Sequence, residues 1–178
     1  MLFVRIIRDL KSYQYKKDPK AKDDWQNNSN NSCLDQFLLY EYESLLFRAK
    51  CQTIANIPGG KYSNTIIVGP FLIKCFVEKR SFHCDVHGIC QTATMSNEWI
   101  TDESITGTSD LRWLIHDDQK LLPNPPNQIT RIPWSDGCIV LKKGDLESFS
   151  FILEAFKYKS GDTIDAEVVN KEGSYGLC

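Results

Sequence analysis

A cysteine and a histidine stand in settings suited to thiol chemistry. Cys138 follows the small polar turn Trp134-Ser135-Asp136-Gly137 and leads straight into the apolar run Ile139-Val140-Leu141. His116, 22 positions earlier, closes another apolar run, Leu114-Ile115. A fold that lays two such runs side by side presents a thiol and an imidazole at neighbouring strand ends. A thiolate nucleophile needs a nearby base and a polar, partly exposed setting. In that chemistry Cys138 attacks an amide carbonyl, while His116 takes the thiol proton and later delivers one to the leaving amine. Gly137 allows a tight turn and close approach of a carbonyl, so the N–H groups of Gly137 and Cys138 are the natural oxyanion donors. The imidazole needs an orienting group. Asp117, Asp118, Ser135 and a backbone carbonyl all qualify. Arg131 is a candidate to hold a substrate carboxylate in a two-pronged contact, with Trp113 and Trp134 as candidate groove walls.

The elements that must position these residues read mainly as strands. Phe3–Ile7 is β-branched and apolar apart from Arg5. From Lys11 to Ser32 the chain turns polar and Asn-rich, with almost nothing to bury, and reads as a loop over about 11–35. Gln36–Tyr42 and Ser44–Ile54 read as paired strands, the second with a period of two. Pro58-Gly59-Gly60 breaks the chain. Ile66–Val68 and Phe71–Val77, separated by Gly69-Pro70, follow as strands, then a turn at Glu78–Ser81. Phe82–Val86 and Ile89–Met95 return, and the polar stretch 96–110 reads as a loop edging a cleft. Leu111–Ile115 is a strand delivering His116, Asp117–Pro133 a proline-rich loop, and Cys138–Leu141 a strand. Asp145 can cap a helix from Leu146 to about Tyr158, whose Leu146, Phe149, Ile152/Leu153 and Phe156 share one apolar face. Thr163–Val169 is a last strand, with a frayed tail from Asn170. The pattern is mainly β with one C-terminal helix.

Composition bounds the classes. A chain of 178 residues, 42% hydrophobic and 11% aromatic, fits one domain with a packed core. A net charge of −2 argues against a general nucleic-acid binder. No run of 18 apolar residues is present, so no membrane span is expected. Charges inside Met1-Leu2-Phe3-Val4-Arg5-Ile6-Ile7-Arg8 argue against a Sec signal peptide. The 7 cysteines, an odd number, then read as reduced thiols rather than a disulfide framework.

His116 followed by Ser135-x-Gly137-Cys138-Ile139 resembles the signature of the L,D-transpeptidase (YkuD-type) catalytic domain, and most closely its compact signal-less relatives among antibacterial effectors. Ile57-Pro58-Gly59-Gly60-Lys61-Tyr62 with Gly69-Pro70-Phe71 resembles the stretch upstream of the catalytic pair in those domains. The resemblance covers roughly residues 50–158, the catalytic core of a single domain spanning 1–178. It implies a β-sandwich or barrel, no cofactor, and cleavage of tetrapeptide stems of peptidoglycan between an L-centre and D-Ala. Water as acceptor gives L,D-carboxypeptidase activity, a D-amino acid gives exchange, and a second stem gives a 3–3 crosslink. It also implies synthesis in the cytoplasm and action in the periplasm or cell wall after non-classical export, with secretion machinery or an immunity protein as further partners. Asp136 stands where the larger transpeptidases usually carry His, and Asp117 where they carry Gly. Both positions bear on the acyl acceptor.

Two other readings compete. His83-Cys84-x-x-His87-x-x-Cys90 holds four potential zinc ligands in eight residues, although the spacing is not that of a zinc knuckle, and no metal is expected. A non-catalytic binding protein on the same fold is the other.

Overall fold

The computed structural model describes residues 1–9, 35–53, 62–86, 88–93, 101–106, 113–117 and 138–172. Eleven strands and one α-helix lie within them. In chain order the strands are β1 (Leu2–Arg8), β2 (Asp35–Glu41), β3 (Ser44–Gln52), β4 (Tyr62–Ile66), β5 (Gly69–Phe76), β6 (Ser81–Val86), β7 (Gly88–Ala93), β8 (Thr101–Thr106), β9 (Trp113–Asp117), β10 (Ile139–Leu141) and β11 (Thr163–Asn170). Helix α1 spans Lys143–Ala155, between β10 and β11. Eight strands close a barrel in the order β1-β11-β5-β6-β9-β10-β3-β2, and β4-β7-β8 form a separate three-stranded sheet. Most neighbours are antiparallel, but β1 runs parallel to β11 and β9 parallel to β10. The second parallel pair matters most, because it sets the strand that begins just after Cys138 beside the strand that carries His116.

Strict alternation fills the barrel. Leu2, Val4 and Ile6 on β1, Phe71, Ile73 and Cys75 on β5, Phe82, Cys84 and Val86 on β6, and Ile164, Ala166 and Val168 on β11 are all buried. A period of two puts every second side chain on one face, and eight strands enclose just enough space for those side chains to fill. Closure also removes the exposed sheet edges.

Helix α1 covers part of this core with Leu146, Phe149 and Leu153. Phe149 is fully buried, its ring 5.1 Å from Phe37 and 5.0 Å from Phe82, both edge-on, and 6.5 Å from Phe47. The helix begins two residues before the expected Asp145 cap. Lys142 is its N-cap and makes no side-chain cap bond, while Asp145 sits in the first turn, where a negative charge suits the helix dipole. It ends before Tyr158 for a local reason. Lys157 takes a left-handed conformation (φ 63°), the Lys157 amide donates to the Glu154 carbonyl and the Tyr158 amide to that of Leu153, each at 2.9 Å. That double closure is a Schellman motif, with lysine in the place glycine normally takes.

Four further differences from the sequence reading stand out. The polar stretch 96–110 contains β8, which exists because β7 offers it a full ladder rather than because of its own composition. The strand expected at Ile66–Val68 lies earlier, at Tyr62–Ile66, and Gly69-Pro70 open β5 instead of separating two strands. The tail expected to fray from Asn170 is tied down at its start, since Asn170 ends β11 and the Lys171 amide donates to the Arg8 carbonyl at 2.8 Å, while residues 173–178 lie outside the described residues. Much of the loop expected over 11–35 lies outside the described residues, but its last residue, Asp35, opens β2. No helix among the described residues is long and apolar enough to cross a membrane.

Candidate functional site

One end of the barrel, here called its mouth, is where β1, β3 and β11 finish and where β2, β9 and β10 begin. Cys138 lies at that mouth, one residue ahead of β10. It is a free, half-buried thiol that packs against the edge of the core. The Leu114 amide on β9 donates to Cys138 Sγ at 3.4 Å. An N–H aimed at sulfur favours the thiolate over the thiol, because hydrogen bonding to the charged form stabilises it.

His116 lies on the same neighbouring strand. The register pairs Val140 with His116 and Ile139 with Ile115. Cys138 and His116 are therefore diagonal neighbours across the β9–β10 ladder, a relation that sets their backbones about 7–8 Å apart. Trp113 and Ile115 are buried, whereas Leu114 and His116 are only partly so, as alternation requires. His116 Nδ1 sits 2.7 Å from the main-chain oxygen of Asp117. A carbonyl can only accept, so Nδ1 carries the proton and Nε2 is the basic nitrogen. Among the orienting groups open to the imidazole, this one is a backbone carbonyl, and Asp117 supplies it through its main chain.

Trp113 departs from the expected groove wall. At 6% exposure it belongs to the barrel core, because an odd step along β9 from His116 turns it inward. Ser135, Gly137, Arg131 and Trp134 lie outside the described residues, as do Asp118 and Asp136. Of the four potential zinc ligands, Cys84 is fully buried inside the barrel, whereas the half-exposed ring of His83 meets Ser81 Oγ at 3.0 Å and the edge of Phe76. Adjacent positions on β6 send these two side chains to opposite faces, so they cannot share an ion. His87 lies outside the described residues. Burial, reinforced by the nearby Cys138 thiol, pushes the Cys84 thiol well up. It stays protonated and inert.

Sequence reasoning passed over a second group at the mouth. Arg8, Asp35 and Thr53 are all essentially buried. Arg8 Nε donates to Thr53 Oγ1 at 2.9 Å, and Thr53 Oγ1 donates to Asp35 Oδ2 at 2.6 Å. Arg8 Nη2 donates to the Ile66 carbonyl at 2.6 Å, and the Asp9 amide donates to Asp35 Oδ1 at 2.7 Å. Lys171 Nζ completes the group with a 2.8 Å ion pair to Asp9. Buried charges persist where they are paired and hydrogen-bonded, and this network ties the ends of β1, β2, β3, β4 and β11 together. Val140 pairs with Gln52, which places Thr53 beside the head of β10. A signal did exist in the sequence: Arg8 continues the inward series Leu2, Val4, Ile6. Nothing local marked Asp35 or Thr53 as its partners.

An uncharacterized protein of Treponema pallidum (strain Nichols) is 33% identical to this chain over 173 residues, covering 89% of this chain and 75% of that protein. No family model matches the chain, and no solved structure matches it.

Proposed function

The chain belongs to the family of that Treponema pallidum protein, and we propose that it is a cysteine-dependent, peptidoglycan-modifying enzyme on an L,D-transpeptidase-like fold. It acts on tetrapeptide stems at the bond between the third residue and D-Ala. The observation that carries this reading is the placement of Cys138. Its sulfur accepts the Leu114 N–H at the barrel mouth, and the adjacent parallel strand carries His116, whose Nδ1 is anchored on a carbonyl.

In the proposed reaction the Cys138 proton passes to His116 Nε2 as sulfur attacks the carbonyl carbon of the third residue. The tetrahedral oxyanion is met by main-chain N–H groups, with Gly137 and Cys138 as the donors assigned from the sequence. Collapse breaks the C–N bond, His116 protonates the departing amine of D-Ala, and a thioester remains on Cys138. Water then gives L,D-carboxypeptidase activity, a D-amino acid gives exchange, and the side-chain amine of a second stem gives a crosslink. Arg131 and Trp134 remain candidates for holding the stem peptide. The substrate places the reaction in the periplasm or cell wall. An antibacterial role would add an immunity protein as partner.

Mass spectrometry of disaccharide tetrapeptides incubated with the protein, with and without a free D-amino acid, tests the reading. Loss or exchange of D-Ala that disappears in Cys138→Ala and in His116→Ala is the expected result. Unchanged substrate with folded protein and a reduced Cys138 would overturn it.

A further inference from the structure

The outer surface of β1, β2 and β3 is sorted into rows by the register of the three strands. Phe3, Tyr40 and Leu45 stand level with one another nearest the β2–β3 turn, and Arg5, Leu38 and Arg48 form the next outward row. Leu38 lies between two core residues, Phe37 and Leu39, and so turns away from the core, yet it is only 3% exposed. Its register partners on both sides are arginines, whose apolar stems can cover it. The row nearest the turn has no such cover. The pairing slips between Leu39 and Tyr40, so that Leu45 and Leu46 together oppose one residue of β2. Both leucines are exposed, at 43% and 37%.

The turn adds a third apolar group. Glu41 pairs with Ser44, which leaves a two-residue loop, Tyr42-Glu43. Tyr42 is 79% exposed and left-handed, with φ 54°. Two-residue hairpin loops favour glycine where φ is positive, and a bulky residue there is strained. Neither the core nor the turn calls for a tyrosine at this place. Charge completes the pattern. Glu43 at the tip and Arg48 on β3 are both exposed, and among the described residues neither makes an ion pair. The midpoint between positions 43 and 48 falls between Leu45 and Leu46. A two-fold axis crossing β3 at that point turns the strand end for end, so that position 43 of each copy meets position 48 of the other. An acid and a base set evenly about an apolar centre make a surface complementary to itself. The same acid is unfavourable to a lipid occupant, because inserting the tip would carry Glu43 into the bilayer ahead of the leucines.

We propose that this surface is an interface between two copies of the chain. Strand β3 packs antiparallel against its counterpart, with Leu45, Leu46 and Tyr42 at the centre and Glu43 of each copy facing Arg48 of the other. Three strands about 4.8 Å apart and about seven residues at about 3.3 Å each give a footprint of roughly 14 by 23 Å. A contact of that extent is smaller than a standard interface, so the dimer is weak, with Kd on the order of 10–100 μM.

Sedimentation equilibrium of the full chain, across that concentration range and a decade on either side, reads the association. Glu43→Arg and Arg48→Glu are each expected to weaken it by about 10-fold or more, because each reversal creates two like-charge contacts in a two-fold dimer. The double variant restores opposite charges at the same places and is expected to recover association. Leu46→Glu, beside the axis, is expected to leave only monomer. All of these positions are exposed, and far-UV circular dichroism melts check that each variant folds. A chain that stays monomeric throughout overturns the proposal, and cosedimentation with phosphatidylcholine vesicles would then assign the surface to lipid. A dimer that neither single reversal weakens also overturns it, since another surface then joins the copies. Single reversals that weaken the dimer without recovery in the double variant overturn the antiparallel pairing of Glu43 with Arg48. None of these outcomes depends on the chemistry of Cys138.

Discussion

Phe149 is the place where one substitution should separate docking of helix α1 from its intrinsic helicity. Its ring is fully buried and meets Phe37 at 5.1 Å and Phe82 at 5.0 Å. Truncation to alanine removes that burial and leaves a cavity bounded by three barrel strands, a change worth about 3–5 kcal/mol. The edge-on pairs fall within that sum, since each contributes roughly 0.5–1.5 kcal/mol beyond area. In a domain of this size about 2–4 °C of Tm accompanies each kcal/mol, so the melting temperature should fall by roughly 6–20 °C. Phe151, two residues along the same helix, is 56% exposed and lies under the Arg80 guanidinium at 5.3 Å. Its truncation should cost no more than about 1 kcal/mol, the scale of an exposed cation–π contact. Both substitutions put the same residue into the same helix, so propensity cancels in the comparison. Guanidinium unfolding followed by far-UV circular dichroism reads both. The consequence reaches the site, because only Lys142 separates the end of β10 from the helix. An undocked helix loosens the strand headed by Cys138. A Phe149→Ala loss below about 1 kcal/mol, or one equal to that of Phe151→Ala, would refute the claim that this ring anchors the helix to the barrel.

Other outcomes follow from the same contacts. Thr53→Val keeps the side-chain shape but removes the buried hydroxyl that joins Arg8 Nε to Asp35 Oδ2. A loss of about 2–4 kcal/mol in chemical denaturation is expected, and Thr53→Ser should recover most of it. In the folded protein, timed iodoacetamide labelling read by peptide mass mapping should modify half-buried Cys138 well before buried Cys51, Cys75 and Cys84. Burial first, and then the Asp162 carboxylate, pushes the Cys75 thiol from 9.0 up to about 12. Above pH 9 the unfolded chain therefore releases this proton while the folded one keeps it. The Cys75 contribution to stability is full below about pH 9 and falls as pH rises towards 12, so a Cys75→Ala variant should show a flatter decline in Tm across that window. Lys157→Gly relieves a left-handed lysine at the helix terminus, φ 63°, and should raise stability by about 0.5–1 kcal/mol by the same denaturation assay.

What sequence alone determined rests on local periodicity. Alternation in Leu2–Arg8, Phe82–Val86 and Thr163–Asn170 fixes strands and even which side chains turn inward, because a strand has no other way to sort its faces. The spacing of Leu146, Phe149 and Leu153 fixes the helix and its buried side for the same kind of reason. The turn before Cys138 marks it as a strand-end residue, but the expected neighbouring ends do not hold: in the parallel pair Cys138 precedes the start of β10, while His116 lies near the finish of β9. Strand pairing was beyond it. That β9 runs parallel to β10, bringing Cys138 level with Leu114 and one diagonal step from His116, depends on partners far apart in the chain. The same holds for β8, polar in sequence yet held by the ladder of β7. The mouth network of Arg8, Asp35 and Thr53 is the sharpest case. Arg8 continues an inward series, but Asp35 and Thr53 carry no local mark, and the three become a buried, hydrogen-bonded group only when barrel closure brings the ends of β1, β2 and β3 together. Trp113 likewise reads as a groove residue beside a histidine. Only the closed barrel decides that its ring is core and that its N–H is left buried without a partner among the described residues.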